Sequence, residues 1–501
     1  MGQQLRLEEL LAGCEARFVG DPAILVTGIA YDSRRVRHGD VFVAIPGFVL
    51  DGLQFVPEAL SRGAVAIVAE RSGPNANDES FCTWAQVRSS RRALAALACR
   101  WHGNPSEHLI VVGVTGTNGK TTVTALLDEI LARRAPVGRW STTQVRIAGD
   151  SFPTPRTTPE APELQAAMAR MLAAGCQAAV VEVSSHALRL DRVTGTRFAA
   201  ATFTNLSPDH LDFHRDMDDY LDAKATLFET LAPEAPAVLN IADPATPRLA
   251  ERASGRLVTY GWDRGAGATP DYCLDRFDSR QDGSKLYLKT PAAEGSIETP
   301  LFGRANAENI AAAAATAMEL GFSFDEVCQA VAGFNGERGR LQAVDAGQAF
   351  DVFIDFAHTP AALQAALEAT RSIVGAGQVI VVFGCGGDKD RAKRPLMGSI
   401  AAAAANVAVV TSDNPRSEEP DAIIDEIIAG IGANPAATVH VEANRAAAID
   451  LGLAMAAPGD CVLIAGKGHE TEQIFRDRTI PFDDAEVATS WLARRGMEIS
   501  R

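Results

Sequence analysis

The sequence predicts an α/β protein built from three domains. Its 501 residues exceed the roughly 100–200 that one domain usually takes. From residue 109 onward, short apolar runs alternate with segments of helical spacing, and a second block of this kind begins near Leu341. Such alternation is typical of a parallel sheet covered by helices. We therefore expect a small N-terminal α/β domain, a central parallel-sheet domain and a C-terminal doubly wound, Rossmann-like domain.

The domain boundaries follow from changes in composition. Apolar runs at residues 41–45 and 65–68 are separated by turn residues and indicate a small first domain. A basic, weakly apolar stretch at residues 91–105 then precedes the β-branched run 109–114. We predict domains at residues 1–106, 107–340 and 341–501. The expected strands of the larger two are 109–114, 179–183, 198–203, 352–354, 379–383, 407–410 and 462–464.

Composition and charge limit the class of partner. The chain is 47% hydrophobic and 22% charged, which is ordinary for a globular protein. Its 47 basic and 63 acidic side chains give a net charge of −16. This balance argues against affinity for nucleic-acid phosphates or an anionic membrane surface. We expect small-molecule substrates, no nucleic acid and, in solution, a monomer.

The cysteines and the N-terminal residues bear on the compartment. The eight cysteines form neither a CxxC pair nor a zinc spacing, as expected for reduced thiols. The first ten residues lack a basic segment leading into an apolar one, and the Ala-rich stretch 401–410 is shorter than the roughly 20 residues that span a bilayer. We expect a cytoplasmic protein without membrane insertion.

A glycine-rich loop directly after the apolar run 109–114 carries the strongest chemical signal. Helical spacing of apolar residues follows this loop, so it lies between a strand and a helix N-terminus. The loop consists of Gly116, Thr117, Asn118, Gly119, Lys120, Thr121 and Thr122.

This arrangement is that of a P-loop, which binds nucleotide phosphates. Backbone N–H groups and the helix dipole attract the phosphates, Lys120 reaches the β and γ oxygens, and the Thr121 hydroxyl is suited to Mg²⁺. Val114 departs from the common pattern, which has glycine there. An incidental glycine-rich turn is the alternative, but strand, loop, Lys-Thr pair and helix all favour ATP binding.

A P-loop alone fits a GTPase, a kinase, a transport motor or a ligase. Glu182 closes the apolar run 179–183 and precedes Ser184-Ser185-His186. A carboxylate at the tip of a neighbouring strand is where a further magnesium ligand of a P-loop protein belongs. Taken alone, Glu182 would be interpreted as a surface residue at a strand end.

Further motifs occur in a fixed order along the chain. They are GTNGKTT, EVSSHAL, TNLSPDHLDFH and YLDAKATLF, then Gly303, Asn306, Asn309, Gly339-Arg340 and the DFAHTP segment, with Asp32-Ser33-Arg34 and GDVF near the N-terminus. This string resembles the Mur ligases, and the resemblance covers all three domains. It implies a central P-loop ATPase domain.

The resemblance implies a reaction and its cofactors. Mur ligases transfer the γ-phosphate of ATP to a substrate carboxylate, and an amine then attacks the acyl phosphate to form an amide in peptidoglycan precursor synthesis. It implies Mg²⁺ held by Thr121 and Glu182, and a second Mg²⁺ served by Glu182, His210 and Lys224. Lys224 would be carbamylated by CO₂, because a carbamate supplies the hard oxygen ligand that an amine lacks. The implied catalytic residues are Lys120, Glu182, His210 and Lys224.

The nucleotide and the muramoyl substrate have implied contacts as well. Lys120 and Arg340 would meet phosphates, Asn309 the adenine, and Asp355 and His358 would complete the nucleotide site. Tyr31 and Ser33, with the loop at residues 48–50, fall where relatives hold the uridine diphosphate. Residues implied to contact the muramoyl-dipeptide are Thr157, Thr158, Ser184 and Arg192.

The segment Asp413-Asn414-Pro415-Arg416 implies the amino-acid substrate. It follows the apolar run 407–410, where open α/β sheets bind ligands, although alone it would be an Asx-Pro turn. Within the Mur ligases, DNPR marks the branch that adds meso-diaminopimelate to UDP-muramoyl-dipeptide. Gly466 and Glu470 would lie at the far end of the amino acid. At four positions this chain has a residue other than the one usual in the Mur ligases: Lys389, Leu190, Gln342 and Arg156.

Two alternatives stay open from the sequence. Folylpolyglutamate synthetase shares the P-loop ligase core and the carbamylated lysine, but is not expected to carry DNPR or the N-terminal DSR segment. A nucleotide-binding regulatory protein without catalysis is the alternative from another class. The retained Lys120, Glu182, His210 and Lys224 count against it.

Overall fold

The computed structural model describes residues 3–73, 82–154, 156–263, 269–280, 283–432 and 435–499. The chain divides into two compact units. The first contains residues 1–115, 134–201 and 223–235, and the second contains residues 116–133, 202–222 and 236–501. Each unit is described by itself.

The N-terminal part of the first unit is a mostly parallel sheet with helices. Its elements are β1 (Leu5–Arg6), α1 (Leu7–Leu10), β2 (Arg17–Val19), β3 (Leu25–Val26), β4 (Gly28–Ala30), β5 (Asp40–Val43), α2 (Val56–Ser61), β6 (Ala66–Ala69), β7 (Thr83–Gln86) and α3 (Ser90–Trp101). The strand order is β2-β7-β6-β5-β4, in which only β2 is antiparallel to its neighbour among the described strands. Val41 and Val43 enter one apolar core and Phe42 another, because successive side chains of a strand point to opposite faces.

Helix α3 occupies the basic stretch that precedes the P-loop strand. Ser89 caps it by accepting a hydrogen bond from Arg92 N at 3.2 Å, and Ala93, Leu94 and Leu97 are buried. These apolar residues recur at helical spacing, so the stretch packs onto the N-terminal core. The predicted domain boundary at residue 106 follows this helix and stays a prediction.

The central part of the chain contributes strands to both units. Its elements are β8 (Ile110–Thr115), α4 (Lys120–Leu131), β9 (Val137–Trp140), β10 (Val145–Ile147), β11 (Asp150–Phe152), α5 (Ala161–Ala173), β12 (Ala178–Glu182), α6 (Ser185–Arg189), β13 (Ala200–Phe203), α7 (Met217–Glu229), β14 (Pro236–Asn240), α8 (Thr246–Arg252), β15 (Arg256–Trp262), β16 (Tyr272–Arg280), β17 (Gly283–Lys289), β18 (Glu294–Thr299), α9 (Arg304–Glu319) and α10 (Phe324–Ala332).

Parallel pairing in the first unit determines where its polar residues meet. Strand β12 lies between β8 and β9 and is parallel to both, while β10 and β11 continue the sheet in antiparallel fashion. Carboxyl ends of parallel strands share one edge of a sheet, so the residues after β9 and β12 lie together. In the second unit β14, β15 and β16 are parallel, and β17 and β18 follow antiparallel.

The C-terminal part of the second unit is a doubly wound domain, as predicted. Its elements are β19 (Gln342–Ala343), β20 (Asp351–Asp355), α11 (Pro360–Val374), β21 (Val379–Phe383), α12 (Lys393–Ala404), β22 (Val407–Val410), α13 (Pro420–Ile431), β23 (Thr438–Val441), α14 (Arg445–Met455), β24 (Cys461–Ala465), β25 (Glu472–Ile474), β26 (Thr479–Pro481) and α15 (Asp484–Ile499). The strand order is β19-β20-β24-β21-β22-β23, with parallel pairing from β20 to β23. Helices α11, α12 and α13 cover one face, and α14 and α15 cover the other.

Two further observations concern the described chain as a whole. None of its described helices combines the length and the apolar character that a membrane-spanning helix requires. All eight cysteines, each of which lies in the described ranges, are free thiols.

Candidate active site

The P-loop in the second unit has the shape that phosphate binding requires. Gly116 and Gly119 have φ angles of 151° and 85°, and a side chain at Gly116 would collide with Thr204. The loop is fixed by Asn205, whose carbonyl oxygen accepts from Thr117 N at 2.8 Å. Lys120 Nζ donates to the carbonyl oxygens of Gly116 and Thr117 at 3.1 and 2.8 Å. Its ammonium therefore lies over the loop itself, where phosphate oxygens would compete for it.

Val114, the departure from the common P-loop pattern, is a core residue of β8. It is fully buried and pairs in register with Glu182 of β12. The turn begins only at Gly116, so the position of the missing glycine still belongs to the strand. The departure leaves the loop geometry intact.

One cavity of about 120 Å³ in the second unit is lined by residues that the sequence predicts to contact the nucleotide, although they lie far apart in the chain. Asn309, from α9, approaches so closely that a Cβ at Gly119 would lie 2.3 Å from its Oδ1. Predicted residues that line the cavity are Asn118, Gly119, Thr121, Thr122, Asn309, Arg340 and Asp355.

Arg340 and Asp355, which both line this cavity, are each held by neighbouring residues. Arg340 Nη2 donates to Thr121 Oγ1 at 3.0 Å, and its guanidinium lies 4.8 Å from the Phe356 ring. Asp355 Oδ2 accepts from Leu341 N at 2.6 Å. Burial raises the pKa of Asp355 even though the nearby charge of Arg340 lowers it.

The departure at Gln342 is explained by the same segment. Its Oε1 accepts from Gly339 N at 2.8 Å. A carboxamide and a carboxylate can both accept this hydrogen bond, so the glutamine preserves the turn before Arg340.

His210 and His358 have different surroundings in the second unit. His210 adopts a φ of 57°, and its Nε2 lies 3.5 Å from the Asp209 carboxylate. Burial alone would raise the pKa of Asp209, but the charges of His210, His358 and Lys393 outweigh it and lower that pKa. His358 Nδ1 contacts the Phe356 carbonyl oxygen at 2.8 Å, and burial lowers its pKa. Electrostatics thus couple both predicted histidines to Asp209.

Glu182 ends β12 in the first unit, at the predicted strand tip. It is 1% exposed, and its two carboxylate oxygens accept from Thr142 N at 2.9 Å and from Thr142 Oγ1 at 3.0 Å. Thr157 Oγ1 lies 3.0 Å from Thr142 Oγ1. The sequence prediction missed Thr142. It follows β9, which pairs with β12, so the shared carboxyl edge of these strands was the available signal.

The other residues predicted to bind the muramoyl-dipeptide surround Glu182. Thr158 Oγ1 donates to the Glu182 carbonyl oxygen at 2.7 Å and accepts from Ser184 N at 3.0 Å. Arg192 Nη1 donates to the Thr158 carbonyl oxygen at 3.2 Å, and its Nη2 lies 2.8 Å from Glu160. The structure thus brings Thr157, Thr158, Ser184 and Arg192 together. Of the departures nearby, Arg156 pairs with Glu160 and Leu190 ends α6.

Lys224 lies in α7 and is 1% exposed. In the described ranges, no group of three or more His, Cys, Asp or Glu side chains is arranged to hold a metal ion. Magnesium would therefore also need hydroxyl, carbamate or phosphate oxygens, which are ligands that it prefers.

A cavity of about 610 Å³ in the first unit is lined by Tyr31, which is predicted to contact the uridine diphosphate. Tyr31 Oη donates to Glu163 Oε1 at 2.8 Å, and Arg34, Arg35 and Arg37 also line the cavity. Guanidinium groups suit a diphosphate, but here Arg34 donates to both Asp32 carboxylate oxygens and Arg35 lies 3.6 Å from Glu163. Ser33 is buried and donates to Glu58 at 2.6 Å, so its hydroxyl is already engaged.

The DNPR segment forms a buried loop after β22 in the second unit. Asp413 and Asn414 are 7% and 2% exposed, and Asn414 Nδ2 donates to Glu470 Oε2 at 2.7 Å. Gly466 packs so closely that a Cβ there would lie 2.6 Å from Asp413 Oδ2. The structure therefore brings Asp413, Asn414, Gly466 and Glu470 together from two separate segments.

Arg416 and Lys389 lie on adjoining loops beside this cluster. Arg416 has a φ of 53° and donates from Nη1 to the Gly387 carbonyl oxygen at 2.8 Å. Gly387 N in turn donates to the Asn414 carbonyl oxygen at 2.9 Å. A Cβ at Gly387 would lie 1.8 Å from the Pro415 carbonyl oxygen, so only glycine allows this contact. Lys389 is exposed on the same loop as Gly387.

Comparisons with known proteins identify the family of this chain. Residues 25–102 match the Mur ligase family catalytic domain, residues 114–317 the Mur ligase middle domain, and residues 339–468 the Mur ligase glutamate ligase domain. The UDP-N-acetylmuramoyl-L-alanyl-D-glutamate--2,6-diaminopimelate ligase of Gloeobacter violaceus is 43% identical over 98% of this chain and 99% of its own. The chain belongs to the Mur ligase family.

Solved structures support the three-domain Mur ligase fold. A structure of a UDP-N-acetylmuramoyl-L-alanyl-D-glutamate--2,6-diaminopimelate ligase covers 99% of this chain and 100% of its own, with 30% identity and a TM-score of 0.69. Folylpolyglutamate synthase from Mycobacterium tuberculosis, complexed with ADP and AMPPCP, covers 80% of this chain and 94% of its own, with 20% identity and a TM-score of 0.62. The second likeness concerns the fold alone. The matched segments follow the predicted order of N-terminal, central and C-terminal domains.

Proposed function

We propose that this Mur ligase joins meso-diaminopimelate to UDP-N-acetylmuramoyl-L-alanyl-D-glutamate, with conversion of ATP to ADP and phosphate. The observation that carries the proposal is the cluster in which Asn414 and Glu470 contact each other beside Arg416. A donor amide, a guanidinium and a carboxylate together suit an amino acid whose far end bears both a carboxylate and an ammonium. The relative from Gloeobacter violaceus, which carries this activity in its name, supports the same substrate.

The first chemical step would activate a carboxylate. A carboxylate oxygen of the muramoyl-dipeptide attacks the γ-phosphorus of ATP, and the bond from that phosphorus to the β-phosphate oxygen breaks to release ADP. Lys120 and Arg340 would bind the phosphates during this transfer, since cations fixed in place stabilise the developing charge. Asn309 and Asp355 would hold the nucleoside beside Gly119.

The second step would form the amide. The amine of diaminopimelate attacks the acyl carbon, phosphate leaves, and the amine loses a proton. The departing phosphate and water are the bases available to take that proton. Thr157, Thr158, Ser184 and Arg192 would orient the dipeptide.

Magnesium and a carbamate on Lys224 belong to the proposal as well. Thr121, Glu182, His210 and carbamylated Lys224 would hold Mg²⁺, which would neutralise charge on the transferred phosphoryl group. The Thr142 hydrogen bonds orient the Glu182 carboxylate for this task. We further propose that the enzyme works in the cytoplasm as a monomer, where its thiols stay reduced and peptidoglycan precursors are made.

The test is a substrate panel with product detection by mass spectrometry. The purified chain is given ATP, Mg²⁺ and UDP-muramoyl-dipeptide with meso-diaminopimelate, L-lysine or D-glutamate, and separately ATP with tetrahydrofolate and L-glutamate. The proposal predicts a tripeptide product with meso-diaminopimelate. Glutamylated folate alone would indicate a folylpolyglutamate synthetase, and nucleotide binding without substrate-dependent ADP release would indicate a regulatory protein.

A further inference from the structure

Lys467 is a fully buried cation beside the DNPR loop. Its Nζ donates to Asn414 Oδ1 at 3.0 Å, to Glu470 Oε2 at 3.1 Å and to the Glu472 carbonyl oxygen at 2.6 Å. An ammonium has three N–H groups, so these contacts use all of its donors. Lys467 therefore cannot bind a ligand itself, and instead connects the loop after β22 with the segment after β24.

These contacts fix the orientation of the Asn414 amide. Asn414 Oδ1 accepts from Lys467 and also from Ile474 N at 3.0 Å. Both partners are obligatory donors, so the oxygen must face them and Nδ2 must face the other way. One N–H of Nδ2 binds Glu470, and the second has no partner among the described residues. Asn414 can thus only donate to a ligand.

Glu470 is held as a hydrogen-bond acceptor, whereas Asn414 is held as a donor. Its Oε2 accepts from Lys467 and Asn414, whereas Oε1 has no hydrogen-bond partner in the described part of the chain. The Glu470 side chain is 32% exposed, so Oε1 is accessible. A carboxylate only accepts hydrogen bonds, which suits an ammonium.

The charges in the cluster add a second effect. Lys467 and Glu470 together carry no net charge. The pair therefore suits a ligand end that is zwitterionic and also has no net charge. Without the lysine, the half-buried Glu470 carboxylate would repel a ligand carboxylate and attract a simple cation.

We propose that Lys467 is a positioning residue that makes this site select an amino acid whose distal end carries a carboxylate and an ammonium together. It does so by holding Asn414 as a donor and Glu470 as an acceptor. The inference rests on the proposed function. meso-Diaminopimelate has such an end, L-lysine has only the ammonium, and L-2-aminopimelate has only the carboxylate.

The experiment compares Lys467→Met with the wild-type chain, using these three amino acids at saturating ATP and UDP-muramoyl-dipeptide. We expect kcat/KM for meso-diaminopimelate to fall about 10–100-fold, mainly through KM. The ratio of kcat/KM for meso-diaminopimelate to that for L-lysine should fall about tenfold or more, because lysine needs only Glu470. Lys289→Met, which changes a half-exposed lysine on β17, is the matched control and should leave the ratio unchanged.

A purely structural role of Lys467 would lower all three values by one common factor, and that result would overturn the proposal. So would an unchanged ratio. If Lys467→Met does not fold, Lys467→Met/Glu470→Gln removes the charge with its partner and is compared with Glu470→Gln alone. We expect a further fall in the ratio because Asn414 is still released, and equal ratios would contradict this. A wild-type chain that prefers L-lysine or forms no product would instead refute the proposed function.

Discussion

Arg340 Nη2 donates a hydrogen bond to the Thr121 hydroxyl at 3.0 Å, although 219 residues separate the two in sequence. The same hydroxyl is the predicted magnesium ligand of the P-loop. A guanidinium and a divalent cation repel each other at one oxygen, so magnesium and ATP would shift Arg340 from Thr121 to phosphate oxygens.

We predict that Arg340→Ala lowers kcat/KM for ATP about 100-fold or more, because a cation that stabilises the transferred phosphoryl group is lost. The kcat/KM of Arg340→Lys for ATP should lie between those of Arg340→Ala and the wild type, since lysine keeps the charge but loses the planar fork. Steady-state kinetics with varied ATP measure both. Full activity of Arg340→Ala would show that the contact with Thr121 is only structural.

Lys224 should be carbamylated in the active enzyme. We expect Lys224→Ala to lose most activity, and small added carboxylates to restore part of it by supplying the missing oxygen ligand. Native mass spectrometry should detect one carboxyl group added to the wild-type chain and none added to Lys224→Ala. An unmodified lysine in a fully active enzyme would refute the prediction.

Thr142 should act through Glu182. Thr142→Val removes the hydroxyl that donates to the carboxylate, and loss of such a supporting contact lowers metal affinity or activity about 10–100-fold. Thr142→Ser keeps the hydroxyl and is the matched control. We expect Thr142→Val to need more Mg²⁺ for half-maximal rate, with the KM for diaminopimelate little changed. An unaltered Mg²⁺ dependence would exclude this role.

Glu418 should make stability depend on pH. Hydrogen bonds from Arg394 lower the pKa of Glu418 from 4.5 to about 2, despite the opposing effect of burial. A lowered pKa in the folded state stabilises the fold above pH 4.5, and this contribution is lost as the pH falls from 4.5 through 2. At pH 7, Glu418→Gln should therefore be less stable by about 1–2 kcal/mol, allowing for solvent screening. Urea unfolding at pH 7 and pH 3 tests this, and an equal difference at both pH values would contradict it.

Much of the fold could be predicted from local sequence. The apolar runs at residues 379–383 and 407–410 coincide with β21 and β22, since β-branched residues bounded by turns specify buried strands. The helix after the P-loop was equally clear from its apolar spacing. The string of motifs predicted the order of the domains. It also predicted that Asn309, Arg340 and Asp355 belong to one nucleotide site, and in the structure these three residues line one cavity.

The residues that support the site were beyond local reasoning. Thr142 contacts Glu182 and Lys467 contacts Asn414, across 40 and 53 residues of sequence respectively. Arg445 is fully buried, pairs with Asp484 at 2.7 Å and donates to the Ala465 carbonyl oxygen at 3.0 Å. Charged residues usually lie at the surface, so the burial of Arg445 is explained only by the partners that the tertiary structure brings to it.

The most direct test is a competition between meso-diaminopimelate and L-lysine at equal concentration, with ATP and UDP-muramoyl-dipeptide, in which mass spectrometry gives the product ratio. Arg416 uses Nη1 on backbone carbonyl oxygens, and its remaining N–H groups can pair with the distal carboxylate. A charge-assisted hydrogen bond of roughly 1.5–3 kcal/mol predicts at least about a tenfold excess of the diaminopimelate product. Arg416→Ala should bring this ratio toward one while the KM for ATP stays unchanged. An excess of the lysine product from the wild-type chain would contradict the account, as would a variant that retains the wild-type ratio.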